Sequence, residues 1–225
     1  MATEARGLYA LKPWYTRRLG SALRAAVRRG TSPDIFTALG VLSAAGAAVA
    51  IALGWWPLAL VLLAGRLAGA NLDGAVARAR GVSRPWGFAL NEIGDRGSDL
   101  LMFAGLAVLA VREPADSLVT PSLSSLVWVL IAATAATLPT FASLAGTAAG
   151  TAAGTAAGTS AAAPGRTVPR LNGGPFGKTE RCAVVVVATA FPGWIPAIAV
   201  LLIAGSLVTA AVRLARVRRL LVAAA

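Results

Sequence analysis

Four of the nine acidic residues are gathered in one short stretch: Asp73, Glu92, Asp95 and Asp99. On a helix, Glu92, Asp95 and Asp99 follow i, i+3, i+7 spacing and share a face. Asn91 lies about 40° from Asp95, at the edge of that stripe. Stacked oxygen donors repel one another unless cations intervene. One reading is therefore a metal site; the other is pairing with the arginines of the same segment, Arg66, Arg78, Arg80, Arg84 and Arg96. Around Asp73 stand Gly69, Ala70, Gly74 and Ala77, small enough for a ligand or a neighbouring backbone to approach. Arg66 and Arg80 lie seven residues to either side of Asp73, on its face. Acids for a metal, small residues for access and arginines for phosphate are the parts of a phosphoryl-transfer site.

Other chemistry is closed off. The chain has no His, and Cys182 is its single cysteine. It can build no His-based triad, no His-ligated zinc, no four-cysteine site and no internal disulfide. A working metal would take oxygen ligands, which favours Mg2+, Mn2+ or Ca2+.

The elements that must position these residues are apolar. Of 225 residues, 57% are hydrophobic and 13% charged, and the mean hydropathy is +0.72. A net charge of +12 suits a nucleic-acid binder, but this hydropathy does not; the expectation is a membrane protein with no nucleic-acid partner. A span needs about 20 apolar residues. Six are read: Phe36–Trp56, Pro57–Asn71, Gly87–Val111, Leu126–Leu144 with Pro139 inside it, a short one over Lys178–Phe191, and Ile195–Val212. With six spans, every basic residue except Arg112 falls on one side. Arg6, Lys12, Arg166 and Arg170 are among them. The positive-inside rule makes that side cytoplasmic, with both termini there. The fold expected is all-α and polytopic.

Residues 1–34 read as a basic cytoplasmic arm, 35–215 as the six-helix membrane domain and 216–225 as a cytoplasmic tail. The arm has no signal-peptide core. Between Arg17 and Arg29, Leu19, Leu23, Ala26 and Val27 fall on one face, which predicts an amphipathic helix lying on the inner leaflet. Thr31-Ser32-Pro33-Asp34 supplies turn and cap residues before the first span. From Gly146 the chain repeats a Gly-Thr-Ala-Ala unit. Small residues at every fourth position can pack helices closely. The fourth span is long enough without them, so 146–175 is expected to be a low-complexity cytoplasmic loop.

The acidic stretch also resembles a known family. Asp73-Gly74-x2-Ala77-Arg78-x8-Gly87-x3-Asn91-x3-Asp95 is similar to the CDP-alcohol phosphotransferase signature, D-x2-D-G-x2-A-R-x8-G-x3-D-x3-D. Thr31 to Thr37 resembles the approach to that family's first helix. Gly177-Lys178-Thr179 resembles the motif before the fifth helix in its phosphatidylglycerophosphate-synthase branch. The resemblance implies a six-helix inner-membrane enzyme, often a homodimer, that uses Mg2+ or Mn2+. Such an enzyme moves a phosphoalcohol from CDP-diacylglycerol or another CDP-alcohol to an acceptor hydroxyl and releases CMP. It implies Asp73 as a metal ligand and Asp95 as the catalytic base or metal-proximal carboxylate. It places Gly74, Ala77, Arg78 and Gly87 at the substrate; Arg66, Arg80 and Lys178 are phosphate-contact candidates beside them. Two positions depart: Ala70 and Asn91 stand where the signature has aspartates. Asn91 can still offer its amide oxygen, and Glu92 and Asp99 are candidates to supply the missing carboxylates. A single metal or a shifted second one is then expected. The competing functions are a catalytically silent homologue acting as a membrane scaffold, and a small transporter. Clustering of the acids at one edge, with no second copy, speaks against the transporter.

Overall fold

The computed structural model describes residues 15, 17–115, 123–156 and 174–224. Arg6, Lys12, Arg166 and Arg170 lie outside the described residues. Among the described residues the fold is helical throughout. In chain order the helices are α1 (Gly20–Arg28), α2 (Pro33–Ala52), α3 (Trp56–Ala79), α4 (Pro85–Arg112), α5 (Ser125–Ala135), α6 (Leu138–Ala156), α7 (Lys178–Ala190) and α8 (Ile195–Ala224), with a short 3-10 turn at Pro192–Trp194 before α8.

The predicted start of the first long helix is where the cap residues put it. The Ser32 hydroxyl accepts the Asp34 N–H at 3.4 Å, Pro33 occupies the first turn and Asp34 adds a charge favourable to the helix dipole. In α1 only Ala26 is fully buried. Leu19, Leu23 and Val27 are half-buried, whereas Arg17, Arg24, Arg28 and Arg29 are exposed.

Helix α2 lies against both α3 and α4, and glycines set how closely. A Cβ on Gly69 of α3 would stand 2.6 Å from the Phe36 carbonyl oxygen and 2.9 Å from the Gly40 Cα. On Gly105 of α4 it would stand 2.4 Å from the Ala48 oxygen. Both crossings therefore bring backbone onto backbone, as small residues permit in membrane bundles. The core between them is apolar, built from Ala47, Ile51, Leu63, Met102 and Leu106 and closed by Val185, Ile195 and Leu202.

Four segments are long and apolar enough to cross a membrane: Pro33–Ala52, Trp56–Ala79, Ser125–Gly150 and Pro192–Val222. Large apolar side chains line their outer faces, among them Leu42, Val61, Phe141 and Leu201. Trp55, Trp56, Trp86 and Trp194 are exposed near helix ends, where interfacial tryptophans sit. The molecule is a membrane protein. Of the two remaining expected spans, α4 has 28 residues but carries Glu92, Asp95, Arg96 and Asp99. Helix α7 has 13, a length of about 20 Å against a hydrocarbon core of about 30 Å.

Two expectations change. The fourth span is one apolar segment but two helices: α5 ends at Ala135 and α6 begins at Leu138, because Pro139 has no N–H to return to the Ala135 carbonyl. The loop expected from 146 is helix as far as Ala156. Alanine favours helix, and the small side chains face a neighbour. A Cβ on Gly146 would lie 2.4 Å from Val217 of α8, and Ser143 and Gly150 are buried on the same stripe. The part of that predicted loop over 157–173 lies outside the described residues.

Candidate active site

Three helices meet at one end of the bundle. These are the beginning of α2, the second half of α3 and the first half of α4. Between them is a small open cleft, lined by Thr37, Gly40 and Val41 of α2, Arg66, Ala70 and Asp73 of α3, and Asn91, Gly94, Asp95 and Ser98 of α4. The close crossing at Gly40 and Gly69 fixes its floor. Gly94 does the same for α4, since a Cβ there would stand 3.0 Å from the Thr37 methyl.

Asp73 is buried. Its Oδ2 accepts the Thr37 hydroxyl at 3.1 Å, and its Oδ1 accepts the Gly74 N–H. Both oxygens are thus oriented before any ligand arrives. Asp95 faces the same cleft and is paired with Lys178 at the start of α7, Nζ to Oδ1 at 2.6 Å. The Glu180 side chain accepts the Gly177 N–H at 3.0 Å, which secures the turn of α7 that presents Lys178.

The acidic stripe divides. Asp99 does not line the cleft. It is buried among three guanidiniums, from Arg66 at 2.5 Å, Arg181 at 3.1 Å and Arg96 at 3.2 Å. Glu92 pairs with Arg96 at 3.4 Å. Glu92 and Asp99, the candidates for the missing carboxylates, are both paired with arginines here, as the pairing reading expects. Arg66 lines the cleft, yet its fork is used on Asp99 Oδ1, on the Asp95 carbonyl at 3.3 Å and on Cys182 Sγ at 3.3 Å. It braces the cleft wall. Arg80 donates to the Thr31 carbonyl at 2.7 Å and ties α3 to the chain before α2. Arg78 is exposed, with its guanidinium over Gly74, 3.1 Å from where a Cβ would be. Ala77 is half-buried on α3 and Gly87 half-buried in the first turn of α4, next to the Arg84 stem.

The structure thus brings together Asp73, Asn91 and Asp95, with Lys178 above them. Sequence reasoning missed Thr37, although a hydroxyl one turn past the cap of an apolar helix was a visible signal. It missed Arg181 too, whose partner lies 82 positions away. Among the described residues no three His, Cys, Asp or Glu side chains are arranged to hold a metal. Asp73, Asn91 and Asp95 do line the cleft together, with Thr37 and Ser98 beside them, and each has a side-chain oxygen to offer. That all-oxygen set fits a hard divalent cation such as Mg2+ or Mn2+.

The sequence matches no protein-family model and no curated protein. Solved structures do match. The crystal structure of Mycobacterium tuberculosis phosphatidylinositol phosphate synthase with CDP-DAG bound is 25% identical, with a TM-score of 0.61, covering 89% of this chain and 94% of that one. The same synthase in complex with manganese and citrate is 24% identical, with a TM-score of 0.59, covering 88% of each chain. Its apo form is 24% identical, with a TM-score of 0.59, covering 88% of this chain and 95% of that one.

Proposed function

We propose that this chain, a divergent relative of the CDP-alcohol phosphotransferases in motif and in fold, is a phosphatidyltransferase of phospholipid synthesis. It transfers a phosphoalcohol from a CDP-alcohol, with CDP-diacylglycerol the first donor to test, to an acceptor hydroxyl, and releases CMP. The observation that carries this reading is the convergence of Asp73, Asn91 and Asp95 on one cleft, at the motif positions where the resemblance puts them. The synthase bound to CDP-DAG supports the donor class. Its complex with manganese supports a divalent metal.

Asp73, Asn91 and Asp95 would hold Mg2+ or Mn2+, which when bound neutralises diphosphate charge. The protein's own groups do the rest. Thr37 and the Gly74 N–H keep Asp73 in place. Asp95 takes the proton of the acceptor hydroxyl at a carboxylate oxygen. The freed alkoxide attacks the phosphorus that bears the donor's alcohol; that P–O bond forms as the bond to CMP breaks. Arg78, exposed over Gly74, is the phosphate contact, together with Lys178 when the substrate draws it from Asp95. Arg66 and Arg80, engaged as described, hold the walls.

The membrane reading completes this. Helices α4 and α7 complete a set of six crossings: α4 is long enough and hides its charges on helix neighbours, while α7 is tilted or partly embedded in protein. The cleft opens at the end carrying the starts of α2, α4 and α7 and the basic end of α8, which is assigned to the cytoplasmic side of the inner membrane. Helix α1 and the residues just before it lie along that surface, with Arg17, Arg24 and Arg28 toward lipid headgroups. A homodimer is carried over from the family resemblance. One observation favours a second reading, a silent homologue acting as a membrane scaffold: the cleft has a methyl at Ala70 and a neutral amide at Asn91. The test is CMP release by purified protein in detergent, given Mg2+ or Mn2+, CDP-diacylglycerol and a panel of polyols and polyol phosphates. Release that disappears in Asp73→Asn and in Asp95→Asn supports the transferase. No release with any donor, metal or acceptor supports the scaffold.

A further inference from the structure

The cleft is poor in negative charge. Asp73 and Asp95 bring two carboxylates, while Ala70 and Asn91 bring none. The Arg66 guanidinium lines the same space, and the one charge of Asp99, 2.5 Å away, is shared between it, Arg96 and Arg181, so Arg66 adds no negative charge to the cleft. Lys178 then sets one ammonium on Asp95 at 2.6 Å, and both side chains are largely sheltered, at 24% and 12% exposure. Two carboxylates less one ammonium leave a single negative charge. One dication already reverses that sign. In two-metal sites the ions stand about 3.5–4 Å apart, and they need anionic ligands between and around them to offset their repulsion. At positions 70 and 91 those anions are missing.

We propose that the cleft holds one divalent cation, on Asp73, Asn91 and Asp95, and that the Lys178 ammonium serves as the second positive charge at Asp95. Lys178 is fixed for this role from both sides. Glu180 caps the Gly177 N–H in front of it, and Arg181, one turn further along α7, is held by Asp99. The inference takes the identity of the site from the transferase reading, but its test is a cation count.

The count is a titration of purified protein in detergent with Mn2+, without substrate, following free Mn2+ by its paramagnetic resonance signal. One Mn2+ per wild-type chain is expected. Ala70→Asp with Asn91→Asp rebuilds the missing acids and should take two. Lys178→Gln removes a cation competing for Asp95 and should bind its Mn2+ about tenfold more tightly; Lys178→Arg should stay near wild type. Two Mn2+ per wild-type chain overturns the proposal. So does Lys178→Gln binding Mn2+ no more tightly than wild type, a measurement that stands even where the double variant does not fold. CMP release by the same preparation separates this from the transferase reading. Two Mn2+ with CMP release overturns the count and keeps the transferase. One Mn2+ without release from any CDP-alcohol keeps the count and overturns the transferase.

Discussion

Asp95 and Asp99 stand one helical turn apart on α4 and meet opposite surroundings. Asp95 looks into an open cleft and has one ammonium partner. Asp99 is sealed in a knot of three guanidiniums drawn from α3, α4 and α7, and Arg96 extends that knot to Thr140 of α6 at 2.6 Å. The first carboxylate has a partner that can be exchanged for a substrate or a cation. The second has partners that hold four helices in place. Arg66 joins the two regions, because the nitrogen that binds Asp99 also reaches the Asp95 carbonyl. A buried charge is retained here either for what it can release or for what it ties together, and partner number separates the two.

The comparison can be broken at either carboxylate. Asp95→Asn keeps the shape of the side chain and removes the proton acceptor. CMP release should fall by about a thousandfold, within the usual worth of a positioned base, with little change in the melting temperature in detergent. Activity above a tenth of wild type would remove Asp95 from its role. Asp99→Asn should do the reverse. It leaves three arginines facing a neutral amide, and losing one partner of a buried ion pair costs about 3–5 kcal/mol. Thermal unfolding in detergent should show a large loss of stability; an unchanged midpoint would mean that the knot carries no structural weight. A smaller effect is expected from Asn91→Asp, which returns a charge to the cleft. Mn2+ affinity, read by titration, should rise by about tenfold, and no change would take Asn91 out of the ligand set. Smallest is Arg84→Ala. Its pair with Asp34 is over half exposed on the arginine side, at 54%, so the loss should stay within about 1 kcal/mol. A larger shift in the unfolding midpoint would show that the start of α2 depends on that pair.

Much of this was legible in the residues. The cap at Ser32 and the apolar runs follow from local spacing, and the meeting of Asp73, Asn91 and Asp95 from the family resemblance of their motif. The division of the acidic stripe did not, although helical geometry contains it. At 100° per residue, Asn91, Asp95 and Ser98 fall within about 60° of each other, while Glu92 and Asp99 lie about 80° further round α4. A shared face was too coarse a description, since two neighbours of different chemistry divide it. The partners themselves were out of reach. Arg181 meets Asp99 only because α7 packs beside α3 and α4, and no local pattern states which helices will be adjacent. The Gly-Thr-Ala-Ala units as far as Ala156 turned on a related point: low complexity suggested a loop, while alanine favours helix and Gly146 packs against Val217.

Those units bear on how the chain can change in length. Each four-residue unit advances a helix by about 6 Å and turns it by about 40° past a full revolution. Gly146, the residue whose contact with Val217 depends on having no side chain, stands at the first unit. Adding or deleting a unit after Gly150 would leave the Gly146 seam against Val217 in register.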